Sequence, residues 1–171
     1  MKIGIISDTH DQIDNIKKAV KKFKREKVVL VYHLGDFCSP FTLKLYENLQ
    51  CSVKAVFGNN DGDIFKLLAW KPHNMEFFDR FYVDEFEGKK IAITHGDPYE
   101  RVLTLFERDK YDLLLYGHTH IAEIKKNDRT LLINPGCLIE KFKENQYTKK
   151  WTEPSIAIYD LGKNSAKIIN L

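Results

Sequence analysis

"KIGIISDTHDQIDNIKKAVKKFKREKVVLVYHLGD", Lys2 to Asp36, decides the fold. It opens on the strand-like run "KIGIIS" and closes on a second apolar run, "VVLVYHL". Between them Ile13, Ile16, Val20 and Phe23 recur at helical spacing, which predicts an amphipathic helix from about Asp11 to Lys27. The lysines of "KKAVKKFKREK" then fall on the opposite face, where solvation accounts for them. Strand, helix and strand in this order imply parallel strands joined by a right-handed crossover. A second helix, at about Phe41 to Gln50, and a third strand, "SVKAVF", repeat the unit. The first half is thus βαβαβ, and a short helix near Asp63 to Trp70 follows it.

The second half changes character. "RFYVDEF" and "KKIAITH" flank the turn "EGKK" and read as a hairpin. A helix from about Pro98 to Asp109 leads into the apolar run "YDLLLYG". "AEIKKNDRTLLIN" and "SIAIYDLGKNSAKIINL" look like two further hairpins, each with polar turn residues. Strands outnumber helices here, so the expected architecture is α/β, with two packed mixed sheets and helices outside. Repeats, low-complexity tracts and Ser/Gly linkers are missing from the 171 residues, which predicts a single domain over 1–171.

Composition narrows the function. Hydrophobic residues at 43% and charged residues at 30% are ordinary for a soluble globular chain. A net charge of +3 is too mild to require nucleic acid as a partner. No apolar run approaches the roughly 18 residues of a membrane span. The start, "MKIGIISDTH", carries charges too early for a signal peptide. A cytoplasmic location without a membrane partner is expected. Cys38, Cys51 and Cys137 form no CxxC pair, so reduced thiols are expected rather than disulfides or a zinc knuckle.

The chemistry collects where strands end. Asp8 and His10 stand in "SDTH", Asp36 in "LGD", Asn59 in "FGNND", His95 in "THGD", and His118 and His120 in "GHTH". Ligands of open α/β sheets bind beyond the carboxyl ends of the strands. Each residue alone has a plainer reading: Asp8 or Asp11 as a helix cap, Asn59 as a turn residue, Asp36 as a loop acid, His95 as a core histidine. His33 and His73 keep such a reading, because neither has a ligand-type neighbour at a strand end. Five strand ends delivering oxygen or imidazole together call for metal. Imidazole, carboxylate and amide oxygen without thiolate suit first-row divalent ions. Seven ligands exceed one four-coordinate site but fit two that share a carboxylate. Two ions roughly 3.5–4 Å apart form the clamp used for in-line attack at phosphorus. Two carboxylates and a bridging hydroxide leave such a pair net positive, so the site should attract an anion.

"DTH", "GD", "GNND", "HG" and "GHTH", in this order and spacing, resemble the calcineurin-like metallophosphoesterases. The short length, the early "SDTH" and "NPG" at Asn134 to Gly136 look like the small single-domain branch. That branch holds bacterial and archaeal phosphodiesterases and the eukaryotic retromer subunit of the same fold. The resemblance implies a four-layer αββα sandwich with a dimetal site at the sheet edge. It implies that Asp8, His10 and His120 hold one ion, that Asn59, His95 and His118 hold the other, and that Asp36 bridges. Asp36 and Asn59 are assigned catalytic as well as ligating roles, and a metal-bridging hydroxide would be the nucleophile. Manganese or nickel is the expected metal, with cobalt, iron and zinc as alternatives.

Two positions depart from the family pattern. Many members carry a histidine directly after the ligand asparagine, where this chain has Asn60 on the substrate side. An amide cannot serve as a comparable proton donor, which argues for phosphodiesters over monoesters. The position after the first motif is often glycine and here is Asp11, which adds charge near the mouth or caps the helix. The expected function is therefore metal-dependent hydrolysis of a small phosphodiester. The alternatives are a non-catalytic scaffold of the retromer type and a nuclease. The scaffold tends to lose ligand histidines that this chain keeps. The nuclease usually adds domains for which this chain has no spare residues, so nucleic acid is disfavoured as a partner. "EKFKENQYTKKW", Glu140 to Trp151, could line the substrate entrance or form a homo-oligomer contact.

Overall fold

The computed structural model describes residues 1–140 and 153–171. The loop expected at Glu140 to Trp151 therefore lies, beyond Glu140, outside the described residues. The chain forms β1 (Lys2–Ile6), α1 (Ile13–Glu26), β2 (Leu30–His33), a 3₁₀ run (Pro40–Asn48), β3 (Ser52–Val56) and α2 (Ile64–Trp70). Next come β4 (Met75–Phe78), β5 (Phe81–Phe86), β6 (Lys89–Thr94), α3 (Tyr99–Glu107) and β7 (Leu113–Leu115). The described strands end with β8 (Glu123–Lys126), β9 (Leu131–Asn134), β10 (Ser155–Asp160) and β11 (Ser165–Asn170).

Two mixed sheets result. One has the order β11-β10-β1-β2-β3-β4, the other β5-β6-β7-β9-β8. The pairs β1–β2, β2–β3 and β3–β4 are parallel in the first sheet, and β6–β7 and β7–β9 in the second. The alternation of side chains along each strand then builds four layers. Ile3 and Ile5 of β1 and Tyr32 of β2 meet Ile91 and Ile93 of β6 and Leu113 and Leu115 of β7 between the sheets. From the other face of the first sheet, Ile6 and Val31 pack with Ile16, Val20 and Phe23 of α1. Ala92, Leu114 and Leu132 face Val102 of α3 on the far side.

The amphipathic spacing of α1 is realised, with Ile16, Val20 and Phe23 buried. Ile13 is the exception, largely exposed at the first turn. The hairpin between β5 and β6 turns at Glu87 and Gly88, both at positive φ, as a two-residue turn that matches strand twist requires. Both later hairpins also form, β8 with β9 and β10 with β11.

Two elements differ from the sequence expectation. The helix expected at Phe41 to Gln50 is a 3₁₀ run, in which Leu43 and Tyr46 are buried three residues apart. That spacing suits three residues per turn better than 3.6, and Leu49 N–H bonds back three residues to the Tyr46 carbonyl. Strand β4 was not evident in the sequence, being four residues long with Glu76 inside it. It exists because β3 offers a free edge for parallel pairing, Val53 to Met75 through Val56 to Phe78. Asn74 fixes its entry by donating from Nδ2 to the carbonyls of Tyr46, Leu49 and Cys51.

Candidate metal centre

The carboxyl ends of β1, β2, β3, β6 and β7 meet at one edge of the sandwich. Asp8, His10, Asp36 and His120 each offer a ligand atom there, all within 4.8 Å of one another. Asn59 Oδ1 lies 2.8 Å from His95 Nε2 and 3.0 Å from His118 Nδ1, so those three side chains converge on one point. Asp36 joins the two groups. Its Oδ2 is 3.4 Å from His10 Nε2, and its Oδ1 is 3.5 Å from His95 Nε2. All seven side chains named from the motifs thus come together.

The local backbone is bent to present them. Asp8, His10, Asp36, His118 and His120 all sit at φ between 39° and 65°, the left-handed region that non-glycine residues seldom adopt. Such strain collects at functional sites, where the surroundings hold it in place. Two glycines make room for the carboxylates. A Cβ on Gly58 would lie 2.5 Å from the Asp36 amide nitrogen, and one on Gly117 would lie 2.6 Å from Asp8 Oδ2.

The donor set fits a cation. Asp8 Oδ2 accepts from Ser7 Oγ at 2.5 Å and from the His118 amide at 3.0 Å. Among the described residues, buried Asp8 Oδ1 has no hydrogen-bond partner, and neither has His10 Nε2. Both point into the cluster, with His120 Nε2 3.2 Å from Asp8 Oδ1. His95 Nδ1 lies 2.8 Å from the Leu34 carbonyl, to which it can only donate. Its Nε2 therefore turns inward onto Asn59 Oδ1, where nitrogen and oxygen are both atoms able to ligate a cation.

Charge balance points the same way. Burial opposes ionisation of Asp8, but His10 and His120 outweigh it and hold the carboxyl well below the usual range. Burial likewise opposes protonation of His120, yet Asp8 and Cys137 beside it raise it to about 10. The pocket draws positive charge, whether proton or metal.

Asp61 was missed by the sequence reading although it stands in "GNND". It is buried, and its carboxylate accepts the amides of Asp36, Phe37, Cys38 and Gly58 at 2.7–3.0 Å. It thereby locks the β2 and β3 loops together and sets Asp36 against Asn59. Burial outweighs those amides and pushes its carboxyl above its ordinary value. Asn134 of "NPG" plays a similar part for "GHTH", donating to the Gly117 carbonyl and Thr119 Oγ1, both at 3.0 Å.

Two sequence readings are corrected or refined. Asp11 does not cap α1, whose N-cap is Gln12 without a side-chain bond. Its carboxylate accepts instead from Ser39, N–H at 3.0 Å and Oγ at 2.6 Å, tying the first loop to the second. Asn60 is turned onto Asp36, donating from its backbone to Oδ1 and from Nδ2 to Oδ2 at 2.9 and 2.7 Å.

His33 and His73 stay outside the centre. His73 is exposed in a turn. His33 is fully buried, stacked on Phe37 at 3.5 Å, with Nδ1 accepting from the Gly35 amide and Nε2 beside Thr9 Oγ1. Burial lowers its pKa to about 3. The unfolded chain takes up a proton near pH 6.5 that the native ring refuses, so stability falls as pH drops from about 6.5 towards 3. His33 alone supplies up to about 1.4 kcal/mol per pH unit of that slope. Metal-free His33→Phe, measured by denaturant unfolding from pH 7 to 5, is expected to show a correspondingly shallower slope than the parent. Equal slopes would refute the assignment.

The chain belongs to the calcineurin-like phosphoesterase superfamily, whose domain model matches residues 1–162. It is similar to a phosphodiesterase of Methanocaldococcus jannaschii, 44% identical over 138 residues that cover 80% of this chain and 83% of that one. Among solved structures, an archaeal phosphodiesterase superposes over 100% of both chains at 38% identity, with a TM-score of 0.87. Vacuolar protein sorting 29 from Cryptosporidium parvum aligns over 98% of this chain and 95% of its own, at 21% identity and a TM-score of 0.66. That last likeness is one of fold alone.

Proposed function

We propose that this chain hydrolyses small phosphodiesters with the help of two divalent ions, manganese or nickel in preference to cobalt, iron or zinc. Asp8, His10 and His120 would hold one ion, Asn59, His95 and His118 the other, and Asp36 both. The observation that carries the reading is Asp36, whose two oxygens face an imidazole of each group. Bound there, the ions would supply Lewis acidity towards the phosphoryl oxygens and a nucleophile at neutral pH. The chain's own part is to orient: Asp61 holds Asp36 and Asn59 in register, and Asn134 holds the loop of His118 and His120. A scaffold role is disfavoured, because every ligand position is filled. A nuclease is disfavoured by the mild net charge of +3, which gives little grip on a polyanion.

Asn60 decides the substrate class. An alkyl leaving group must receive a proton as it departs, whereas a nitrophenolate leaves well without one. General acid help is worth about 10²–10⁴-fold. With an amide at position 60, the protein is expected to favour activated aryl diesters and to act poorly on alkyl monoesters. Asn60→His should raise the alkyl rate far more than the nitrophenyl rate. Both substrates are to be measured with both proteins at saturating manganese. An equal change on the two leaving groups would mean that the substitution acts only through the Asn60 contact with Asp36, and that position 60 does not set the substrate class.

A further inference from the structure

The two halves of the centre are backed differently. In the half formed by Asn59, His95 and His118, the outer nitrogen of His95 meets a backbone carbonyl at 2.8 Å. In the other half the partners are sulfur. Cys38 Sγ lies 3.3 Å from His10 Nδ1, and Cys137 stands beside His120. A histidine that ligates through one nitrogen needs the other held by a hydrogen bond, which sets its tautomer and ring orientation. For His10 the ligating atom is Nε2, buried without a hydrogen-bond partner and aimed at Asp8 and Asp36. Nδ1 must then carry the proton, and among the described residues Cys38 Sγ is the acceptor within reach. His10 also sits at φ 39° and Cys38 at φ 72°, so both loops are bent into conformations that bring sulfur and ring together.

We propose that Cys38 is a positioning residue for His10, its sulfur accepting from Nδ1 and so holding the ring in the orientation that the ion of the Asp8–His10–His120 half needs. The inference rests on the dimetal reading above. Sulfur accepts a hydrogen bond less strongly than a carbonyl or carboxylate oxygen, so it fixes the imidazole less firmly and adds less to its basicity.

Manganese binding to the metal-free, full-length protein tests this, by titration calorimetry with stoichiometry checked by elemental analysis. The parent is expected to show two classes, and His10→Ala should remove one of them, identifying it. Loss of a supporting partner typically costs 10–100-fold in metal affinity. Cys38→Ala should weaken that same class about 10-fold and leave the other class unchanged. Cys38→Ser should restore it, because a hydroxyl oxygen can accept from Nδ1. A merely structural role for Cys38 predicts instead that both variants lower the thermal midpoint and weaken both classes together, and that result overturns the proposal. Unchanged binding in Cys38→Ala overturns it as well. If His10→Ala leaves two normal classes, the ligand assignment itself is wrong and the inference falls with it. Failure confined to the cysteine variants leaves the dimetal reading intact.

Discussion

Exhaustive removal of divalent ions is expected to abolish phosphodiester hydrolysis, and manganese, nickel or cobalt to restore it. The expectation follows from the donors at the sheet edge. Among the described residues Asp8 Oδ1 and His10 Nε2 are buried with no hydrogen-bond partner, and His95 Nε2 turns inward onto Asn59 Oδ1. A buried polar atom left without a hydrogen bond costs about 1–3 kcal/mol, so two of them side by side point to a ligand that satisfies them. None of these groups can by itself generate a strong nucleophile at neutral pH. The measurement is nitrophenyl diester hydrolysis by protein shown to be metal-free by elemental analysis, before and after adding about two equivalents of each ion. Undiminished activity without metal would sink the reading. Because imidazole must be neutral to ligate, protons compete with the ions for His120, which Asp8 and Cys137 raise to about 10, so affinity for the ions should fall as pH drops below that value.

Asp36→Ala should cost more than any other single substitution in the centre. It removes the one carboxylate among the described residues that faces both imidazole groups, and it also strips Asn60 of the Asp36 oxygens it donates to. Loss of a supporting group outside the ligand set typically costs 10–100-fold in affinity or activity. Loss of the shared ligand should exceed that, on the order of 10³-fold or more in rate, with occupancy lowered at both positions. His120→Ala should mainly empty the position it shares with Asp8 and His10, and His118→Ala the one beside Asn59 and His95. Elemental analysis after dialysis, paired with rates at saturating manganese, separates these patterns. The assignment fails if Asp36→Ala keeps a near-parental rate, or if His33→Ala proves as damaging as His118→Ala.

The site was legible in the sequence because its chemistry lies at the ends of strands. A run such as "LLLYGHTH" announces both a buried strand and the ligand-type residues at its end. The parallel order of β1, β2 and β3 then places three such ends at one edge without further information. The supporting groups were not legible. Asp61 reads as one more polar residue in a turn, and only folding shows four amides converging on it. Cys38 and His10 are 28 residues apart, and nothing in their spacing foretells contact.

Local pattern by itself determined where α1 and the strands other than β4 form, which face of α1 is wet, and which seven side chains gather at the sheet edge. Periodicity and motif order suffice for these, since they depend on neighbours along the chain. Tertiary structure alone decided the rest. The 3₁₀ run over Pro40–Asn48 replaces an expected α-helix because Leu43 and Tyr46 must be buried three residues apart. Strand β4 exists because β3 presents an edge to pair with. Asp11 bonds Ser39 rather than capping its own helix, because the two loops meet only after the sheet has formed. The place of Asp36 between two imidazole groups is of the same kind: its two oxygens face opposite groups because β1, β2 and β6, distant in sequence, end at one edge, and that convergence is a property of packing.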